Sequence, residues 1–505
     1  MKQKNYIKQP IYILLMTIVI LYFFSFLPKE QSVLGIDLRY VDIFSDLKEK
    51  EETDELEYEE YYEENYEDYQ YEEYYEDNYD DYEENDSSGS DNSESNLIKE
   101  EINYNFASFS FGKMIGDLFF ENDDTYTGSS ITDKTDLTKQ KISGNVGQLK
   151  YFFDALKTTK TKKVRIAHYG DSAIEGDLIT ADIRENLQDK FDGNGVGFIS
   201  ITSQDVQFRQ TTKHSFSNTW SEASLYSSNP KRLELGISGE VFIPEKKSWV
   251  EYQTTRRYRY LKHWSEARLL YKANKNSSIE YSFDGGGKQK VNLKKSKGVD
   301  ELTLKPSGSA KKLRIEFQPD GNHYYGVMLE NGNGLYVDNF PLRGNSGVDL
   351  QNLSASTLKE FGDLLNYKLI ILEFGLNAAG SIKSNYRWYE REMEKVINNM
   401  KKAFPTTSIL MISVHDKSMK KGTDYVTDPS VIKLLKSQID IARKTKVAFW
   451  NLFEAMGGKD SMPKWVDKNW AFKDYIHFND RGAKEVADLL SNALIDAYNN
   501  YKRKN

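Results

Sequence analysis

The chain has 505 residues, with 68 Lys+Arg against 77 Asp+Glu, a net charge of −9 and no cysteine. That length allows more than one domain, and the missing cysteines exclude a disulfide scaffold, a zinc-thiolate or iron–sulfur centre and a thiol nucleophile. The mean charge conceals a division: residues 49–96 hold 23 acidic residues against Lys50 alone, a local charge of −22, whereas residues 97–505 carry +11.

In chain order, residues 1–10 form a tail with Lys2, Lys4 and Lys8, read as cytoplasmic. Residues 11–27 are an uncharged 17-residue run from Ile11 to Leu27, at the lower limit for a membrane-spanning helix. The flanking lysines place everything after residue 28 outside the cytoplasm. A cleaved signal peptide would end in a small-x-small site, but here Phe23, Phe24, Phe26, Leu27 and Pro28 close the run. An uncleaved single-pass anchor is therefore expected. Residues 28–100 are expected to be a disordered Glu/Asp/Tyr-rich spacer, because no apolar aliphatic residue occurs between Leu56 and Leu97 and self-repulsion extends such a segment. Residues 101–144 read as a connecting segment of uncertain character.

From about 145, strands alternate with helices. Strand-like runs occur at 164–170, 335–340, 368–375, 408–415 and 446–453. Helical stretches lie around 353–366, 384–403 and 430–444, with a last helix near 481–499. Ile179, Ile183, Leu187 and Phe191 recur every four residues, one face of a helix. This alternation predicts an α/β domain with a parallel sheet between two helical layers, and active residues at the carboxyl ends of its strands. Residues 201–330 differ. They alternate polar with apolar or aromatic residues and turn at Asn-Lys-Asn and Gly-Gly-Gly, as an antiparallel β-sandwich inserted between α/β parts at 145–200 and 331–505. Its aromatics Trp220, Trp249, Tyr252, Tyr258, Tyr260 and Trp264 read as core rather than as a sugar-stacking face.

Three short stretches carry chemistry. His168-Tyr169-Gly170-Asp171-Ser172 puts a serine just after a strand and before a helix, in a pattern unlike the G-x-S-x-G elbow. Glu373-Phe374-Gly375-Leu376-Asn377 delivers an asparagine from the end of a buried strand. Asp474-Tyr475-Ile476-His477 places a carboxylate three residues before a histidine, close enough to fix the ring's tautomer and leave its other nitrogen as a base.

Together these stretches resemble the SGNH hydrolases, also called the GDSL family, over about 145–200 and 331–500. The resemblance implies a flavodoxin-like three-layer fold, with Ser172, Asp474 and His477 as the catalytic residues. It also implies an oxyanion hole built from the Ser172 amide, a block-two glycine and the Asn377 side chain. Gly344 in YVDNFPLRGNSG is the expected glycine, with Gly195, Gly197 and Gly347 as alternatives. Ala173 and Ala378 depart from the leucine and aspartate common at those places in the family. The string HYGDS-x-x-EGD with a carbohydrate-binding-module-like β insert looks like membrane-anchored or periplasmic members that act on acetylated surface glycans. The expected function is thus an extracytoplasmic carbohydrate O-acetylesterase acting on an acetylated polysaccharide or peptidoglycan, with no metal or organic cofactor and no nucleic-acid partner. An O-acetyltransferase using the same residues and a catalytically idle glycan-binding module are the alternatives.

Overall fold

A computed structural model describes residues 139–504, except 228, 230 and 381–384, together with an isolated strand pair near the N-terminus. That pair, Glu30–Val33 and Ile36–Arg39, is antiparallel with Val33 opposite Ile36. Both strands lie within the 28–100 segment expected to be disordered. The expected anchor at 11–27 and the acidic run at 49–96 lie outside the described residues. Among the described residues, no helix is long and apolar enough to cross a membrane.

In the second unit the central sheet has the spatial order Gly334–Pro341, Lys163–Gly170, Tyr367–Glu373, Ser408–Ile412, Ala448–Trp450 and Ser143–Gly144. The first five strands are parallel. Numbered along the chain they run 2-1-3-4-5, the flavodoxin-like order expected from the motifs. The sheet is mixed rather than wholly parallel, because Ser143–Gly144 pairs antiparallel to Ala448–Trp450. The last two residues of the 101–144 connecting segment thus cover a sheet edge that would otherwise expose unpaired backbone groups.

Period-two alternation sends side chains to both faces of this sheet. From Lys163–Gly170, Val164 and Ile166 enter the layer formed with Leu149, Phe152, Ile183, Leu187, Val486 and Leu490. Ala167 and Tyr169 enter the opposite layer, with Leu358, Phe361, Met393, Val396, Leu434 and Ile441. The covering helices are Lys150–Leu156, Thr180–Phe191 and Asp480–Lys504 on one face, and Ala355–Leu365, Arg387–Ala403 and Pro429–Lys444 on the other. Their ends follow local rules. Ser354 caps one helix by accepting from the Thr357 amide, and Asp428 caps another just before Pro429.

The insert is a sandwich of two antiparallel sheets. One runs Asp300–Leu304, Glu266–Lys272, His323–Glu330, Glu240–Pro244 and Trp220–Ser224. The other runs Gln289–Leu293, Ser277–Phe283, Lys312–Phe317, Ser248–Thr254 and Thr212–Phe216. Leu269, Val327, Val250, Ile279 and Ile315 meet between them. Gly197–Ser200, expected in the hydrolase part that ends at 200, instead pairs antiparallel with His323–Glu330. Partner rather than periodicity decides which sheet a four-residue strand joins, and the Phe198 amide also donates to the buried Asp338 carboxylate at 3.0 Å. Of the six insert aromatics, Tyr252, Tyr258 and Trp264 are buried, and Trp220 packs edge-on against Phe317. None of the six is exposed; the exposed aromatics are others, including Phe208, Tyr226, Tyr425 and Phe472.

The insert is not a loosely tethered module. The outer face of its first sheet sends Leu270, Tyr325 and Met328 into the same apolar cluster as Tyr169, Phe340 and Phe361 of the α/β domain. A buried ionic cluster sits at the same junction. Arg165 bonds Asp338 at 2.9 Å and pairs with Glu330, which also takes Lys163 at 2.6 Å. The Tyr367 hydroxyl completes the satisfaction of Asp338 at 2.6 Å. Removing one member would leave an uncompensated buried charge.

Candidate active site

The 2-1-3-4-5 order reverses direction between Lys163–Gly170 and Tyr367–Glu373, and ligands of open α/β sheets bind in the crevice beyond such a switch point. Ser172 follows the first of these strands and Asn377 the second. Asp474 and His477 come from the loop before the last helix, about 300 residues later in the chain, and the fold brings them to the same place. Ser172 Oγ lies 3.5 Å from His477 Nε2. His477 Nδ1 donates to Asp474 Oδ2 at 2.8 Å, and Asp474 Oδ1 accepts the backbone amides of Ile476 and His477 at 2.9 and 3.0 Å. This is the geometry of a serine hydrolase triad: the carboxylate holds the ring so that Nε2 faces the hydroxyl. The hydrogen bond to Asp474 raises the His477 pKa above its ordinary value, against the lowering effect of burial. Burial works to raise the Asp474 pKa, but the hydrogen bonds from His477 and Ile476 prevail and hold it below the usual carboxylate value.

Tyr475, between the two, takes φ +58, a left-handed conformation uncommon outside glycine. Three contacts hold the loop in it. The Ser418 amide donates to the Tyr475 carbonyl at 3.0 Å. The Tyr425 ring stacks on that of Tyr475 at 3.6 Å and 7°. Buried His415 donates from Nε2 to the Ile476 carbonyl at 3.0 Å, and burial pushes its pKa down to about 4, so it stays neutral. Ser418 and Tyr425 belong to a hairpin, Ser418–Lys421 with Asp424–Thr427. The sequence reading missed this hairpin, although Gly422 between alternating residues is its signal.

The serine loop is supported from below by a chain of buried polar groups. Asn339 Nδ2 donates to Thr180 Oγ1 at 2.8 Å and to the Ile174 carbonyl at 3.0 Å. Thr180 Oγ1 donates to His168 Nδ1 at 2.9 Å, and His168 Nε2 to Glu373 at 2.8 Å. Gly176, at φ +66, is required beside it: an added Cβ would lie 2.6 Å from the Phe208 ring. Its amide donates to Asp205 of the insert at 3.1 Å. The Glu175-Gly176-Asp177 part of the extended motif is therefore where the insert clasps the serine loop. Arg184 binds Asp177 through two contacts of 2.7 and 2.9 Å, and Arg209 approaches from the insert side at 3.7 Å.

The four glycines considered for the oxyanion hole separate clearly. The Gly195 amide donates to the Tyr260 carbonyl, the Gly347 amide to Asn345 Oδ1 at 2.7 Å, and Gly197 lies in the sandwich strand. Gly344 sits in an open turn at φ +73 with no atom near its Cβ position. Among the described residues its amide, like that of Ser172, makes no hydrogen bond. Asn377 is in place but engaged: Nδ2 donates to the Asn345 carbonyl at 3.1 Å and to Asp171 Oδ2 at 3.3 Å. Asp171 is buried, and burial, helped by the nearby Glu373, pushes its pKa up to about 7 despite the Ala173 amide at 3.0 Å.

A solved peptidoglycan O-acetylesterase superposes on this chain with a TM-score of 0.60, at 19% identity, covering 72% of this chain and 100% of that one. The two chains share a fold. Weaker likenesses link the chain to an acetyl xylan esterase, AlAXEase (TM-score 0.25, 17% identity, 32% of this chain and 80% of that chain), and to a GDSL-like lipase from Parabacteroides merdae (TM-score 0.24, 16% identity, 32% and 72%). No family model and no curated protein matches the sequence.

Proposed function

We propose that this chain is a serine ester hydrolase that removes O-acetyl groups from an acetylated carbohydrate of the cell surface or wall, held outside the cytoplasm by the 11–27 anchor. The observation that carries the reading is the Ser172–His477–Asp474 relay at the topological switch point. The shared fold with a peptidoglycan O-acetylesterase and the basic charge of residues 97–505 support the substrate class.

His477 Nε2 takes the Ser172 proton as Oγ attacks the acetyl carbonyl carbon. The oxyanion forms against the free Ser172 and Gly344 amides. Asn377 joins as a third donor by exchanging its longer bond, the one to Asp171. One such donor is worth about 3 kcal/mol. The sugar hydroxyl leaves with the proton from His477. Water, deprotonated by the same nitrogen, then cleaves the acyl-enzyme to release acetate. The raised His477 pKa moves the acid limb of the pH–rate profile upward from that of a free histidine.

The test is acetate release from O-acetylated polysaccharides by the full chain and by Ser172→Ala. The reading requires the variant to lose at least about 1,000-fold in turnover. Undiminished release would refute the triad assignment. Wild-type acetyl transfer to an added glycan acceptor in preference to water would make the enzyme a transferase.

A further inference from the structure

Beside the serine loop, between the α/β domain and the insert, lies a cleft of about 140 Å³. Glu175 and Arg343 form its wall on the catalytic side; Glu222, Glu240, Tyr226 and Ser238 face them from the insert. The cleft adjoins the catalytic loops, because its wall residue Glu175 follows Ser172 by three positions and Arg343 directly precedes Gly344. Its walls hold closely spaced groups of both hydrogen-bonding senses. Ser200 and Tyr226 donate to Glu240 at 2.7 and 2.5 Å, and Thr202 donates to Glu222 at 2.9 Å. These carboxylates keep further acceptor capacity.

Glu222 is exposed on this wall, and among the described residues its carboxylate accepts only from Thr202, so its remaining acceptor sites are open to a ligand's hydroxyls. At the rim, the Tyr226 ring is 45% exposed although its hydroxyl is tied to Glu240. It thus offers a fixed flat face over a polar floor. Four carboxylates (Glu175, Asp205, Glu222 and Glu240) against two guanidiniums (Arg209 and Arg343) disfavour an anionic group there.

We infer that this cleft binds an uncharged sugar ring of the polymer, next to the ring that carries the ester, so that the insert serves as the substrate-recognition wall of the hydrolase. The inference rests on the esterase reading above and extends it to a second subsite. Ring hydroxyls meet Glu222 and Glu240, and the apolar face of the sugar lies on Tyr226. A small ester such as p-nitrophenyl acetate has no group that reaches the cleft.

The experiment compares the wild type, Tyr226→Ala and Glu222→Gln on an O-acetylated polysaccharide that the wild type deacetylates and on p-nitrophenyl acetate. Each variant is expected to raise KM for the polysaccharide about 10-fold, the cost of one lost ring contact or hydrogen bond, with kcat/KM for the small ester unchanged. The unchanged small-ester activity also shows that the variants are folded. Equal losses on both substrates, or no loss on either, would overturn the subsite. So would tighter binding of an anionic glycan fragment than of a neutral one to the Ser172→Ala protein. Failure of the esterase reading is distinguishable, because Ser172→Ala would then leave both activities intact.

Discussion

Asp171→Asn is the most informative single substitution in the site. The wild-type carboxyl is buried, with a folded pKa of about 7 against 3.8 in the unfolded chain. A raised carboxyl pKa means that the folded state holds the proton more tightly. Its stabilising effect is therefore greatest in acid and is lost as pH climbs through the folded value. The penalty reaches about 4 kcal/mol above neutrality, of which more than half accrues between pH 5 and pH 8. Asparagine cannot ionise, but its amide turns a donor toward Asn377 where a carboxylate oxygen accepted one, at a cost of about 1–3 kcal/mol. The variant should thus lose most of this pH dependence and be about 2 kcal/mol more stable than the wild type at pH 8. At pH 5 it should have no advantage. Urea unfolding followed by tryptophan fluorescence across this range measures both quantities. Because the Asp171 charge also helps to raise the His477 pKa, the acid limb of kcat/KM should move to lower pH in the variant. A wild type equally stable at pH 5 and pH 8, with a variant weaker at every pH, would refute the reasoning.

The other expectations concern the neighbours of that site. Asp474→Asn should lower turnover on p-nitrophenyl acetate by about 100- to 10,000-fold and bring the residual acid limb back toward the ordinary histidine pKa. A pH–rate profile checks this. Gly176→Ala should cost about 1–2 kcal/mol from its left-handed φ alone, and adding Phe208→Ala should recover only the part due to the ring contact. A double-mutant unfolding cycle separates the two. Asp338→Ala should destabilise the chain by about 3–5 kcal/mol by leaving Arg165 to share Glu330 with Lys163 and Arg268 and the buried Tyr367 hydroxyl without its acceptor, read as a fall in the urea midpoint; Ser172→Ala should leave that midpoint unchanged.

Much of the fold was legible locally. The helix and strand periods at 164–191 and 353–444, and the motif residues at strand ends, depend on neighbours a few positions apart. Such short-range patterns suffice to place Ser172, Asn377, Asp474 and His477 in loops beyond strands. The Asp-x-x-His spacing is likewise a local fact, and its 2.8 Å hydrogen bond follows from it.

Tertiary structure decided whatever depends on a partner distant in the chain. The sequence alone left four glycines open for the oxyanion hole; only the hydrogen bonds of their amides single out Gly344. It could not show that Asn377 is already engaged by Asn345 and Asp171, nor that a hairpin at 418–427 stacks on the catalytic loop. Gly197–Ser200 has the alternation of any short strand, and its sheet is set by pairing with residues about 130 positions later. The same holds for the charge with which the chain was first read. The sequence by itself separated a −22 segment from a +11 remainder, because charge is additive along the chain. Only folding could bring Glu222 and Glu240 of the insert to face Glu175 beside Ser172, because burial and proximity are properties of packing and are not carried by any one stretch of residues.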